Sequence, residues 1–187
     1  MSITRGKIIL SNYNKQILTR PTIVITILCL IAYIPMAMGM SVFGSSYTTI
    51  FGYHQYYRLV TAMFCHAGIM HLLCNMISLN SVGPVIEQVY GKKKFYILYF
   101  ATGICAGLFS ALIHHSVILS VGASGAICGL IGAYLAILKI HGRLDTATLV
   151  QVMWPILIMV FVPGIDNVAH LCGALSGYVV GRLLGTN

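Results

Sequence analysis

The chain has 187 residues, of which 58% are hydrophobic and only 7% charged. A water-soluble domain carries about 25% charged residues, so the composition excludes a water-facing surface and points to lipid as the solvent. The net charge of +8 does not indicate nucleic acid, because the basic residues recur between apolar runs instead of gathering in one arm.

A helix needs roughly 20 apolar residues to cross the hydrocarbon core. In chain order, a basic tail (residues 1–21) precedes a first apolar run at 22–42. That run ends without a small-residue cleavage site and is followed by further runs, so it reads as a span and not as a signal peptide. Residues 43–65 are too polar and aromatic to span. Their tyrosines, Tyr47, Tyr53, Tyr56 and Tyr57, favour the membrane–water interface and predict an interfacial loop with short helical pieces. Further runs follow at 69–89, 95–113, 120–138, 147–162 and 166–184, the fifth being short. The pattern predicts an all-α integral membrane protein, a bundle of six transmembrane helices forming one domain over residues 22–187.

Orientation follows from charge. Arg5, Lys7, Lys15 and Arg20 precede the first run, and Lys92, Lys93 and Lys94 separate the second from the third. Lys139 and Arg143 separate the fourth from the fifth, and Arg182 ends the sixth. Six spans place all of these on one side, which the positive-inside rule makes the cytoplasm, so both termini are expected inside. Of the 11 basic residues, Arg58 alone falls on the outer side. Six cysteines, Cys29, Cys65, Cys74, Cys105, Cys128 and Cys172, form no CxxC pair. They read as small hydrophobes, not as a disulfide framework or zinc site. Glycines at four-residue spacing (Gly103 and Gly107; Gly125 and Gly129; Gly173, Gly177, Gly181 and Gly185) predict closely packed helices.

Polar groups inside a bilayer are costly and tend to mark function. At about 1.5 Å of rise per residue, Ser124 lies roughly 22 Å above Lys139, His170 roughly 18 Å above Arg182, and Asn75 roughly 25 Å above Lys92. His71 is one turn above Asn75. Residues from three predicted helices thus share the outer half of the membrane. A serine hydroxyl needs a base within hydrogen-bond reach, and His170 can take its proton and return it to a leaving amine. In Gly122-Ala123-Ser124-Gly125 the small neighbours leave room for a peptide carbonyl. His71 and Asn75, spaced i and i+4, lie on one helix face and could donate to an oxyanion together with the Ser124 N–H. Singly, each residue has a plainer reading, a serine bonded to its own helix or a His or Asn linking helices; matched depth and complementary roles favour the chemical one. His66, at the mouth of the second helix, reads as bonded to loop backbone, and Glu87 as a structural hydrogen-bonding group. Asp166, after Pro163-Gly164-Ile165, reads as a helix N-cap, which favours a Ser–His dyad over a triad.

The stretches HAGIMHLLCNM (His66, His71, Asn75), GPVIEQVYG (Glu87), GASGAICGLIGAY (Gly122, Ser124) and IDNVAHLCGALSG (His170) resemble the rhomboid intramembrane serine proteases, in that family's order, from about Tyr56 to Gly185. The resemblance implies a rhomboid-like bundle that cleaves transmembrane helices of other membrane proteins near the outer face. Ser124 forms the acyl-enzyme, His170 is the base, and His71 and Asn75 complete the oxyanion hole, with Gly122, His66 and Glu87 in support. No metal or cofactor is implied; the partners are transmembrane substrates and the bilayer. Apart from the resemblance, the absence of organelle-targeting features in the sequence suggests a prokaryotic plasma membrane. Substrate would enter sideways from the lipid past the fifth helix. The chain departs from the family at Tyr57-Arg58, where Trp-Arg is common, at Cys128, where many members carry an aromatic against the histidine, and at Cys172, where Gly or Ala is common. A transporter would show internal repeats and helices broken near the midplane, and a zinc protease would show HExxH; neither is present in the sequence.

Overall fold

A computed structural model describes residues 20–39, 43–115, 119–159, 161 and 164–185. Residues 1–19 of the predicted tail and the ends expected at Val42 and Val162 lie outside these residues. Five helices carry the architecture: α1 (Pro21–Ala37), α2 (Ile69–His114), α3 (Ser124–Ile140), α4 (Thr146–Met159) and α5 (Asn167–Leu184). Between α1 and α2, where short helical pieces were expected, lie a π-helical turn at Thr48–Gly52, one α-helical turn at Arg58–Thr61 and a 3₁₀ turn at Ala62–Phe64. Among the described residues the sole β feature is a bridge between Ser45 and Ser120.

The 46 residues of α2 would make a rod of about 69 Å if straight. Gly91 prevents this. Its φ of 76° and ψ of 167° are strained for a residue with a Cβ, and they split the helix into arms at 69–90 and 92–114. The second arm returns beside the residues that precede the first, so that Tyr99 meets Phe64 with ring centroids 6.4 Å apart. Both arms enter one core with Ile25, Leu79, Ile86, Phe95, Leu98 and Leu130. Among the described residues one helix, Ile69–His114, is by length and composition long and apolar enough to cross a membrane; α1 and α3 are shorter apolar helices.

Glycine spacing is realised as contact, except at Gly185, which lies past the end of α5 with nothing within 4 Å of its Cβ position. A Cβ at Gly173 would overlap the carbonyl oxygen of Gly125, and one at Gly177 would overlap that of Gly129. α5 and α3 therefore meet backbone to backbone, as small residues allow in lipid. The opposite face of α5 carries Leu171, Leu175, Val179 and Leu183, all exposed. Small residues inside and large apolar residues outside invert the soluble pattern.

α1 begins at Pro21 with no side-chain cap of its own. Glu87 of α2 supplies one. Its Oε1 accepts the Thr22 N–H at 2.7 Å and the Thr22 hydroxyl, while Oε2 lies 3.9 Å from Arg20 Nε. The expected structural hydrogen-bonding role of Glu87 is thus a latch between two helices, and it satisfies one of the free N–H groups at a helix start.

Candidate active site

The fourth apolar run was read as helical from residue 120, but α3 starts at Ser124. Gly122 stands at φ +128°, outside the helical region. It donates its N–H to Ala62 O at 2.9 Å, and Ser120 exchanges both backbone hydrogen bonds with Ser45 at 2.7 and 3.0 Å. These partners hold 119–123 out of the helix. Ser124 therefore sits at the first helical position, and Ala123 before it makes no side-chain cap bond. N–H groups in the first turn of a helix have no partner within it and carry its positive end.

Gly122 also brings the site together. The point where its Cβ would stand is 2.9 Å from His71 Cε1 and Nε2 and 3.7 Å from Ser124 Oγ. The His71 imidazole and the Ser124 hydroxyl thus flank one small gap, which any side chain at 122 would fill. On the other side of Ser124, a Cβ at Gly125 would lie 3.7 Å from Ala169 O and 4.0 Å from Ala169 Cβ. The residue after the serine touches the residue before His170, which places the two on facing turns of α3 and α5. His170 is buried, and its Nδ1 has no hydrogen-bond partner among the described residues.

Asn75 is buried on the first arm of α2, one turn below His71. Its amide donates to His71 O at 2.9 Å, the self-bonding mode of a helical polar residue, which uses one of its two amide hydrogens. His66 is 1% exposed; its Nδ1 lies 3.2 Å from Phe64 O and its ring meets the His71 ring edge to face at 5.1 Å. Lying ahead of α2, His66 is pushed down to about 4 by burial and by the neighbouring His71, so it is neutral at neutral pH. The expected backbone bond of His66 is present, and the ring stands behind His71 as a wall.

Asp166 caps α5 as read from the sequence, its Oδ1 accepting the Ala169 N–H at 2.9 Å. Cys29, Cys65 and Cys128 are buried, whereas Cys74 lies on an exposed face. Arg58, which entered the sequence reading through its charge and its aromatic neighbour, is 8% exposed and donates from Nη1 to Gly44 O at 2.9 Å. It fastens the segment that pairs with Ser120, a role that only long-range pairing reveals.

These features define an all-helical membrane protein with a serine at a helix start, His71 beside it and His170 on the facing turn of a neighbouring helix. A profile of the Rhomboid domain matches residues 53–187. RHOMBOID-like protein 1 of Arabidopsis thaliana is 39% identical over 134 residues, covering 68% of this chain and 34% of the relative. Rhomboid protease GluP of Bacillus subtilis (strain 168) is 32% identical over 148 residues, 76% of this chain and 29% of the relative. The protein YdcA of the same bacterium is 30% identical over 146 residues, 72% of this chain and 73% of the relative. The chain belongs to the rhomboid family, a family of intramembrane serine proteases. The match spans less than half the length of the first plant relatives.

Proposed function

We propose that the protein is an intramembrane serine endopeptidase in which Ser124 Oγ attacks a peptide carbonyl and His170 takes the hydroxyl proton. His170 then returns that proton to the departing amine, and water hydrolyses the acyl-enzyme. The observation that carries this reading is the gap at Gly122, with Ser124 Oγ on one side and His71 Nε2 on the other. That closeness would let an oxyanion formed at Ser124 reach the Ser124 N–H, His71 and the second amide hydrogen of Asn75 as donors. A dyad is favoured over a triad because a triad orients its histidine through an acceptor on the far ring nitrogen. His170 Nδ1 has none among the described residues, and Asp166 is engaged elsewhere.

The substrates are transmembrane helices of other proteins. They are cut near the outer face, where helix-weakening residues free the carbonyls that a helix otherwise holds in hydrogen bonds. Six spans are read as α1, the two arms of α2, α3, α4 and α5, in one domain over 22–187 with both ends in the cytoplasm. Entry from the lipid past α4 is supported by its packing, the loosest of the five helices. An apolar crevice of about 370 Å³ lies between α4 and the α3–α5 pair, bordered by Leu135, Leu149, Met153 and Leu171, the residue after His170. The reading includes no metal, cofactor or nucleic acid. A prokaryotic plasma membrane rests on the sequence alone, since the relatives come from a plant, one of them named as mitochondrial, as well as from a bacterium.

The test is labelling of the purified protein by a fluorophosphonate together with cleavage of a single-span substrate in liposomes. Wild type is expected to label and cleave, and Ser124→Ala and His170→Ala to do neither while remaining folded. Normal turnover by Ser124→Ala would sink the mechanism. A folded wild type that neither labels nor cleaves would favour a non-catalytic, helix-binding rhomboid.

A further inference from the structure

We infer that Asp166 is a positioning residue for the site, a single carboxylate that fastens the loop ahead of Ser124 and the start of the helix bearing His170 to the end of α2. The inference rests on the protease reading above. Capping α5 requires one oxygen, and Oδ1 provides it by accepting the Ala169 N–H. The second oxygen does something a cap does not need. Oδ2 accepts the hydroxyls of Ser110, on the second arm of α2, and of Ser120, on the loop, the latter at 3.0 Å. His114 Nε2, one turn beyond Ser110, lies 3.4 Å from Oδ1. Three hydrogen bonds and this close approach thus converge on one carboxylate, which has about four acceptor positions.

The elements joined are far apart in the chain and close to the reacting groups. Ser110 and Ser120 precede Asp166 by 56 and 46 residues. Ser120 is also the residue that pairs with Ser45 in both backbone directions, and Gly122 is tied to Ala62. The loop from 120 to 124 is therefore held at its near end by Asp166 and Ser45, and it sets where the Ser124 hydroxyl points. On the other branch, Asp166 O accepts the His170 N–H at 3.1 Å, so the same residue sets the first turn that carries the base. Ser124 and His170 are referenced to one point.

The test separates this strap from the cap. The double variant Ser110→Ala/Ser120→Ala keeps the cap and removes both hydroxyl ties. It is expected to lower kcat and the fluorophosphonate labelling rate by roughly 10- to 100-fold, the scale of a small misplacement of reacting groups, with KM and helicity unchanged and the protein still fully folded at the assay temperature, although its melting temperature falls. Amide exchange at Ser120 and Gly122 should quicken. Asp166→Ala should lose at least as much activity. Asp166→Asn should recover a large part of it, because Asn caps as well as Asp and a serine hydroxyl can accept from its amide as readily as donate. A double variant with wild-type kcat and unchanged exchange would overturn the inference, as would a loss that merely follows the folded fraction. Wild type that fails to label defeats the protease reading instead, and exchange at Ser120 and Gly122 then decides the strap by itself.

Discussion

Gly173→Ala puts the smallest available wedge beside the proposed site. The added Cβ would overlap the carbonyl oxygen of Gly125, the residue after Ser124, and would sit 3.0 Å from its carbonyl carbon. Carbon–carbon contacts are comfortable at about 3.5–4.0 Å, so α3 and α5 must part by on the order of 1 Å. The obstruction is backbone, which moves only with its helix. Alanine brings about 1 kcal/mol of helix propensity over glycine, whereas overpacking costs about 1–3 kcal/mol, so a net loss of stability is expected. The effect on chemistry should be larger, because a shift of about 1 Å between reacting groups can cost 100-fold in rate. The assay is the fluorophosphonate labelling rate and the kcat for a single-span substrate in liposomes, with melting measured in parallel. Gly107→Ala is the control. It gains the same propensity, and its Cβ meets Leu59 Cδ2 at 3.4 Å, an ordinary contact. If Gly173→Ala labels and melts like wild type, the backbone contact does not set the distance between Ser124 and His170, and the reasoning is wrong.

His71→Ala and Asn75→Ala should each slow cleavage by about 10- to 1000-fold without abolishing it, as expected for loss of one oxyanion donor; equal rates with wild type would remove that residue from the site. Glu87→Ala should destabilise the protein by about 1–3 kcal/mol by leaving the Thr22 N–H unpaired, while Glu87→Gln, which keeps an acceptor, should cost less. Melting curves distinguish the two, and equal losses would mean that the latch works through charge. In a cysteine-free background, Lys93→Cys and Tyr56→Cys should react with an impermeant thiol reagent from opposite sides of the membrane. Reaction from the same side would refute the proposed orientation.

Features set by short-range chemistry were legible in the chain. The apolar runs, the aromatic stretch at 43–65 and most of the glycine spacing reappear as helices, short turns and helix contacts, because helical period and side-chain size are local properties. The N-cap at Asp166 was readable for the same reason, since its partner Ala169 is three residues away. The candidate residues Ser124, His170, His71 and Asn75 stood out because each breaks an apolar run.

Tertiary structure decided what those residues face. Ser124 opens its helix instead of lying inside it, because Gly122, at φ +128°, is drawn to Ala62 and Ser120 is drawn to Ser45. Those partners lie some 60 and 75 residues upstream, beyond any local pattern. The Glu87 latch on Thr22 and the second oxygen of Asp166 belong to the same class. A hydrogen bond that closes a long loop carries no periodicity, so its partners become visible only when packing has brought the segments together.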